Sequence, residues 1–418
     1  MAKLAKSLTL DGRTGEGGGQ LVRLACALAA VTSQPIRITN VRGNRGGPRG
    51  GGLKSQHVSS IAWLAKATGA KVSGLEVGSR TLEFAPALPP TALTQSKISI
   101  DVDSPAASTL LIFQAVLPYL LFAGNAVQGS EEDGIELEIK GGTNVSFSLS
   151  WEYLDQVLLP TLEAQFGIRI DRNLKERGWS LGPVRKGCAW FRVRPLKLGE
   201  KLRLKVSWDQ ELKEDDFEVQ RIDASILSPS NMHAALQEAL VKDLDKRFPD
   251  VDVNFVVTEE SGHESRMYVL LVAHSKTGLR WGRDFLYDRN RKKKTPEIVS
   301  SEISRKVSQD LHNEISLRGV VDEFLQDQLI VFQALAEGKS TFPRDELPAA
   351  QDIGGLESDM DELEVGAEKR MQKDKVHVPF GQGSTHTTTA RWVASELLPQ
   401  LDWFNHGSVC EGVGISFS

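Results

Sequence analysis

The sequence predicts an α/β (α+β) protein: a large domain of repeated βαβ-type units that carries a smaller inserted α+β domain. Three observations lead there. A helix-period apolar stripe followed by an alternating strand recurs along the chain. The stretch from about residue 185 to 290 interrupts that cadence with successive strands. The chain has 418 residues at 40% hydrophobic content, enough for more than one packed core.

The elements follow in order. Leu21, Leu24, Ala25, Leu28 and Val31 recur at helical spacing, so a helix runs from Gln20 to about Thr32. "QPIRITNV" then alternates as a strand. After a glycine-rich loop comes a helix on Val58, Ile61, Ala62 and Ala65, closed by Gly69 as its C-cap. The helix-to-strand step returns three times: "STLLIFQAVLPYLLFAG" into "NAVQ", "YLDQVLLPTLEAQFG" into "IRIDRN", and "FLQDQLIVFQALAEG" into "KSTF". A last helix is expected in "TARWVASELLPQLDWF". This is a repeat of pattern, not of identity.

The expected partition is residues 1–184 and 291–418 for the large domain and 185–290 for the insert. Within the insert, "AWFRVRPL", "KLRLKVSW" and "FEVQRIDASIL" read as strands. "MHAALQEALVKDLDKRF" reads as a helix, and "VDVNFVVTEE" and "RMYVLLVAHS" as strands again. Thr295 and Pro296 mark the start of the helix that follows, as cap and first-turn residue. Residues 344–375 are rich in Asp and Glu and poor in aromatics, the composition of a mobile surface loop.

Charge and cysteine content exclude several classes. The net charge of −5 rules out a uniformly polybasic nucleic-acid binder, so any basic surface is local. Cys26, Cys188 and Cys410 are far apart and form no CxxC pair, which argues against a disulfide framework or a cysteine zinc site. No stretch is apolar for long enough to span a bilayer. A nuclear or cytosolic location is expected. The run "RNRKKK" (289–294) reads as a nuclear-import signal, an RNA-backbone contact or a solvated helix lead-in.

Which residues carry chemistry? "DGRTGEGGGQ" (11–20) places bare amides directly before a helix, where anions are favoured. The same run can also be a turn that merely packs two elements. Glu16 weighs against that, because a carboxylate among phosphate-facing amides needs a divalent cation between them. Gln20 and Arg23 follow one turn apart. Arg42, Arg45, Arg49 and Lys54 then lie on a glycine scaffold after a strand, either a phosphate or RNA-backbone site or a solvated basic loop. The spacing excludes a P-loop, since Leu53 stands where glycine must precede lysine. Among eight histidines, His386 stands out in the small polar turn "GQGSTHTTTARW".

Taken together, these motifs resemble the RNA 3′-terminal phosphate cyclases. "DGRTGEGGGQLVRLACALAAVTSQPIRI" resembles that family's N-terminal signature, and "VRGNR" with "LKSQH" its second block. "LLIFQAVLPYL", "GGTN" and "FLQDQLIVFQALAEG" are similar to later blocks. "THTTTARWVASELLP" resembles the segment that carries the nucleotidyl-accepting histidine. The order is kept from about residue 8 onward.

The resemblance implies ATP-dependent conversion of an RNA 3′-phosphate to a 2′,3′-cyclic phosphate, with a divalent metal (Mg or Mn). It implies His386 as the AMP-accepting nucleophile, with Arg23, Arg42 and Arg45 around the reacting phosphates and Glu16 on the metal. Gln20, Gln114, Phe324, Asp327 and Gln328 would hold the nucleotide, Phe324 by stacking. Four features depart from the family pattern: Phe324 stands for a tyrosine, Ala390 for an asparagine four residues after the histidine, the proline after the "GGTN" block is replaced around Leu149, and the usual glycine-rich segment near 182–187 reads "GPVRKG". The same family includes a non-catalytic ribosome-assembly factor. A plain RNA-end-binding module is a further alternative, and retention of Glu16, Arg23, Arg42 and His386 favours the enzyme.

Overall fold

The computed structural model describes residues 6–47, 50–127, 134–206, 212–289, 294–344 and 371–418. The first unit runs β1 (Leu8–Asp11), α1 (Gly19–Thr32), β2 (Ile36–Thr39), α2 (Ser55–Thr68), β3 (Lys71–Ser73) and β4 (Leu82–Ala85). Its sheet has the order β1-β2-β4-β3. β1 and β2 are parallel; β4 lies antiparallel to both β2 and β3. Gly69 closes α2 in the left-handed conformation, as its sequence position predicts.

The second unit repeats this topology. It comprises β5 (Lys97–Asp101), α3 (Thr109–Leu121), β6 (Ile135–Gly141), α4 (Trp151–Tyr153), α5 (Leu159–Phe166), β7 (Ile170–Glu176) and β8 (Gly187–Val193). A π-helical turn, Leu154–Leu158, joins α4 to α5. The sheet order is β5-β6-β8-β7, with β5 parallel to β6 and β8 antiparallel to its two neighbours.

Next come β9 (Val219–Ser228), α6 (His233–Asp245), β10 (Asp252–Glu260), β11 (Tyr268–Ser275), β12 (Arg280–Leu286) and α7 (Pro296–Ser316). This sheet differs in order, β10-β9-β11-β12. α7 starts as predicted, with the Thr295 hydroxyl accepting from the Ile298 amide and Pro296 in the first turn. Its small residues Ser300, Ser304 and Ser308 are buried four apart, and α7 packs on α6.

The chain then returns to the repeated pattern with α8 (Glu323–Leu335), β13 (Glu337–Thr341), α9 (Thr385–Leu397), β14 (Asp402–Phe404) and β15 (Val409–Val413). The sheet order is β13-β15-β14. Arg203 pairs in parallel with Glu337 and so occupies the place that β1 and β5 hold in the other units. The repeated α/β architecture is therefore present as one βαβαββ topology used three times.

Three local expectations are corrected. "NAVQ" is not a strand; Gly124–Val127 is a 3₁₀ turn, and the strand after α3 is Ile135–Gly141. Among the described residues of "KLRLKVSW", 201–206, only Arg203 forms a bridge, where the chain briefly meets the edge of the sheet that contains β13. The last helix ends at Leu397, and the residues beyond Pro399 turn into β14, whose Trp403 is buried. Gly187–Val193, assigned to the insert on sequence, pairs with both β6 and β7. Of the acidic stretch 344–375, residues 345–370 lie outside the described residues.

α1 is central. It packs on α2, α3 and α9, while α8 packs on α9. Ten of its residues are buried, including Ala25, Ala27, Ala29 and Ala30, whose small side chains let neighbouring helices approach closely. This arrangement brings the N-terminal ends of α1 and α9 together.

Candidate active site

The glycine loop between β1 and α1 is shaped by close approaches. Gly15 and Gly17 have φ of +65° and +60°. A Cβ at Gly17 would fall on the Asn44 side chain, and one at Gly18 on the Glu16 carboxylate. Gly18 is the N-cap of α1 and provides no side-chain cap, so the first amides of the helix stay open to an acceptor. The Glu16 amide donates to Thr389 Oγ1 at 2.8 Å, and Thr389 Oγ1 donates to Thr385 O at 2.6 Å. Those two bonds tie the glycine loop to α9.

His386 lies in the first turn of α9, behind the N-cap Ser384, whose hydroxyl accepts from the Thr387 amide at 3.2 Å. Its Nδ1 lies 3.0 Å from Gln20 Oε1. Gln20 Nε2 in turn donates to Asp327 Oδ2, and Gln328 Nε2 donates to Asp327 Oδ1 at 2.8 Å. Partial burial, with Arg23 and Arg45 nearby, holds His386 below the usual histidine range, against a smaller opposing pull from Glu323. The imidazole is therefore neutral near pH 7.

Arg23, Gln114, Asp327 and Gln328 line one pocket with Gln20. Burial lowers Arg23 to about 10, which leaves it charged at neutral pH. Burial raises Asp327 to about 7. Glu16 pairs with Arg45, and the Glu16 side chain is only 5% exposed. Its second oxygen, Oε2, is buried with no hydrogen-bond partner. Arg42 takes φ of +54°, and its Nη1 donates to Gly50 O at 2.7 Å. Desolvation lowers its pKa too.

Phe324 stands apart from this group. The Arg283 guanidinium lies 4.3 Å above its ring, and Tyr153 meets it edge-on. Stacking on the arginine-covered face is thus already taken. Phe324 faces a different cavity of about 830 Å³, lined also by Glu314, Glu323, Arg344 and Arg391.

Ala390 is buried in α9, and Leu149 packs against the core as an apolar residue. Asn290–Lys293 of the basic run lie outside the described residues; Lys294 pairs with Glu302 at 2.8 Å.

The site contains a residue that sequence reasoning missed. His57, in α2, is buried, and its Nδ1 accepts from the Lys54 amide at 3.1 Å. Its Nε2 has no hydrogen-bond partner and lies 2.6 Å from where a Gly19 Cβ would stand, beside Arg23 Nη1. Burial, then Arg23, Arg42 and Lys54, push its pKa well down. The signal was its place in "LKSQH", directly after the arginine-rich loop.

The geometry defines a class first. This is an α/β protein of repeated βαβαββ units in which a glycine loop, three arginines and a neutral histidine surround the start of a buried helix. The chain belongs to the RNA 3′-terminal phosphate cyclase family: the family model of that description matches residues 14–352. The chain is 33% identical over 335 residues to the RNA 3′-terminal phosphate cyclase of Pyrococcus furiosus, covering 79% of this chain and 87% of that protein. It is 33% identical over 350 residues to the cyclase of Methanosarcina mazei, covering 81% and 90%. To the cyclase of Thermococcus gammatolerans it is 32% identical over 335 residues, covering 79% and 86%.

Proposed function

We propose that this chain uses ATP to convert an RNA 3′-terminal phosphate into a 2′,3′-cyclic phosphate through an AMP–histidine intermediate. The observation that carries this reading is the neutral imidazole of His386 next to Arg23 and Arg45 in a chain of this family. His386 attacks the α-phosphorus of ATP; a P–N bond forms, the P–O bond to pyrophosphate breaks, and pyrophosphate leaves. The RNA 3′-phosphate takes over the AMP as the P–N bond breaks. The neighbouring 2′-hydroxyl then loses its proton and attacks the activated phosphorus, closing the ring and releasing AMP. Adenylation serves to turn a poor leaving oxygen into a good one.

Arg23, Arg42 and Arg45 stabilise charge on the phosphates during these displacements. Gln20, Gln114, Asp327 and Gln328 line one pocket beside His386 and are assigned to the nucleoside side of the site. Phe324 offers its ring to adenine only on the face that Arg283 leaves free. Glu16 Oε2 suits a divalent cation, which would draw its remaining ligands from phosphate oxygens, because among the described residues no three His, Cys, Asp or Glu side chains converge. When bound, such a cation supplies charge neutralisation on the phosphates.

The test is covalent labelling. Incubated with α-labelled ATP and Mg or Mn, the protein should acquire an acid-labile label. His386→Ala should acquire none while its stability falls by no more than about 1–3 kcal/mol, the cost of leaving the buried Gln20 Oε1 without its partner. A labelled His386→Ala protein would overturn the assignment of the nucleophile. A wild-type protein that takes no label but still binds RNA 3′-phosphate ends would support the non-catalytic alternatives.

A further inference from the structure

We propose that Gln20 and Asp327 are positioning residues that fix the tautomer of His386, leaving its Nε2 with a free electron pair for nucleophilic attack. The inference rests on the reading of His386 as the AMP acceptor and assigns the pair a task besides lining the nucleotide site.

The argument is one of donors and acceptors. Gln328 donates to one oxygen of Asp327 and Gln20 to the other, so the carboxylate accepts at both ends. Once ionised, as it is above about pH 7, that carboxylate has nothing to donate. Gln20 must therefore turn its NH₂ toward Asp327, and its carbonyl Oε1 is left facing His386 Nδ1 at 3.0 Å. A carbonyl only accepts, so Nδ1 carries the hydrogen. In a neutral imidazole the other nitrogen, Nε2, then bears the lone pair. Gln20 is 7% exposed, which removes water as a competing partner for its amide. The chain of contacts Asp327–Gln20–His386 joins α8, α1 and the first turn of α9, so the packing of three helices sets one proton's position.

Reversing the chain should reverse the tautomer. In Asp327→Asn, Gln328 still donates to the amide oxygen, so the new NH₂ faces Gln20. Gln20 must then turn its oxygen toward Asn and its NH₂ toward His386 Nδ1, which becomes an acceptor. The hydrogen moves to Nε2 and the nucleophile is lost. Where a carboxylate-to-amide change forces the wrong tautomer in a serine protease triad, the rate falls by about 10⁴; a loss of at least about a hundredfold in AMP transfer is expected here. The double variant Gln20→Glu with Asp327→Asn restores the sense of the chain. The Asn NH₂ donates to the Glu carboxylate, whose other oxygen accepts from Nδ1–H. AMP transfer should then recover at least about tenfold over the single variant.

The experiment has two arms. The first reads the tautomer without ATP, by long-range ¹H–¹⁵N correlation on the full chain labelled at histidine, with His386 assigned by the signals that vanish in His386→Asn. Hydrogen on Nδ1 in the wild type and the double variant, and on Nε2 in Asp327→Asn, is the expected result. The second arm measures AMP-adduct formation in the same proteins, with thermal midpoints to confirm folding. A wild-type His386 protonated on Nε2, or an Asp327→Asn protein with an unchanged tautomer, overturns the inference. So does a double variant no faster than the single. If the wild type forms no adduct, the proposed function fails, while the first arm still decides the tautomer.

Discussion

Asp327 sits where burial and hydrogen bonding oppose each other. Burial raises its carboxyl to about 7, and the bond from Gln328, the charge of Arg23 and the bond from Gln20 pull the other way, while Asp322 adds to the rise. Because the folded value lies above the ordinary 3.8, the folded protein holds a proton that the unfolded chain has released in between. The stability linked to that proton is present below about 4 and is lost as the pH rises through about 7. The thermal midpoint of Asp327→Asn should therefore gain on wild type between pH 5 and pH 8. An unchanged difference would mean that Asp327 titrates in its ordinary range. AMP transfer should fall as the pH drops through about 7, above the lowered range of His386.

Single residues were legible in the sequence where a short motif surrounds them. Glu16, Gln20 and His386 each stand among small residues next to a helix start. His57 was not, because its role depends on Gly19 and Arg23 packing over it from another element. The covering of Phe324 by Arg283 was equally hidden, since the two lie 41 positions apart in the chain.

Helices with a clean 3.6-residue period were readable, α1 at both ends, α2 at its Gly69 stop and α8 in its body. β12 was not, because its burial depends on an ion cluster and not on an apolar stripe. Arg283 reaches Glu314 in α7, and Arg344 Nη2 meets the same carboxylate at 3.0 Å. Glu314 is only 2% exposed. Removing its charge leaves two arginines buried without their shared partner, so Glu314→Gln should cost about 3–5 kcal/mol in urea unfolding. A cost under about 1 kcal/mol would show that solvent already screens the cluster.

The glycine loop gives a contrasting element. Gly17→Ala meets both a left-handed backbone and the Asn44 side chain, and should cost about 1–3 kcal/mol. Gly18→Ala collides with the flexible Glu16 carboxylate instead. It should leave the thermal midpoint nearly unchanged while weakening the proposed metal-dependent AMP transfer at least tenfold, about 1.4 kcal/mol.

Across the whole molecule, the repeated topology was visible as a cadence, but its closure was not. The third unit takes its first strand position from Arg203 and resumes only at α8, after β9–α7 have intervened. Nothing local in "KLRLKVSW" announces a partner at Glu337. A second long tie is Arg177, which pairs with Glu152 before α5 and with Glu259 in β10. Arg177→Met should raise amide hydrogen exchange in β10 and around α4 together; an increase confined to one of them would mean that the two regions are not coupled through this side chain.

The bond between Gln20 and His386 spans 366 positions of sequence. In kinetic terms, the proposed nucleophile meets the glycine-loop helix only through a contact between distant parts of the chain. Contacts so distant in the chain form late, because closing the long loop costs chain entropy before the contact repays it. A refolding chain should therefore recover tryptophan fluorescence from Trp151 and Trp179, whose contacts with Phe191, Asn144 and Arg185 are close in the chain, before it can accept AMP. On the proposed assignment, a partly folded molecule would hold the arginines and the glycine loop without His386, and AMP transfer would begin only when the last helix docks.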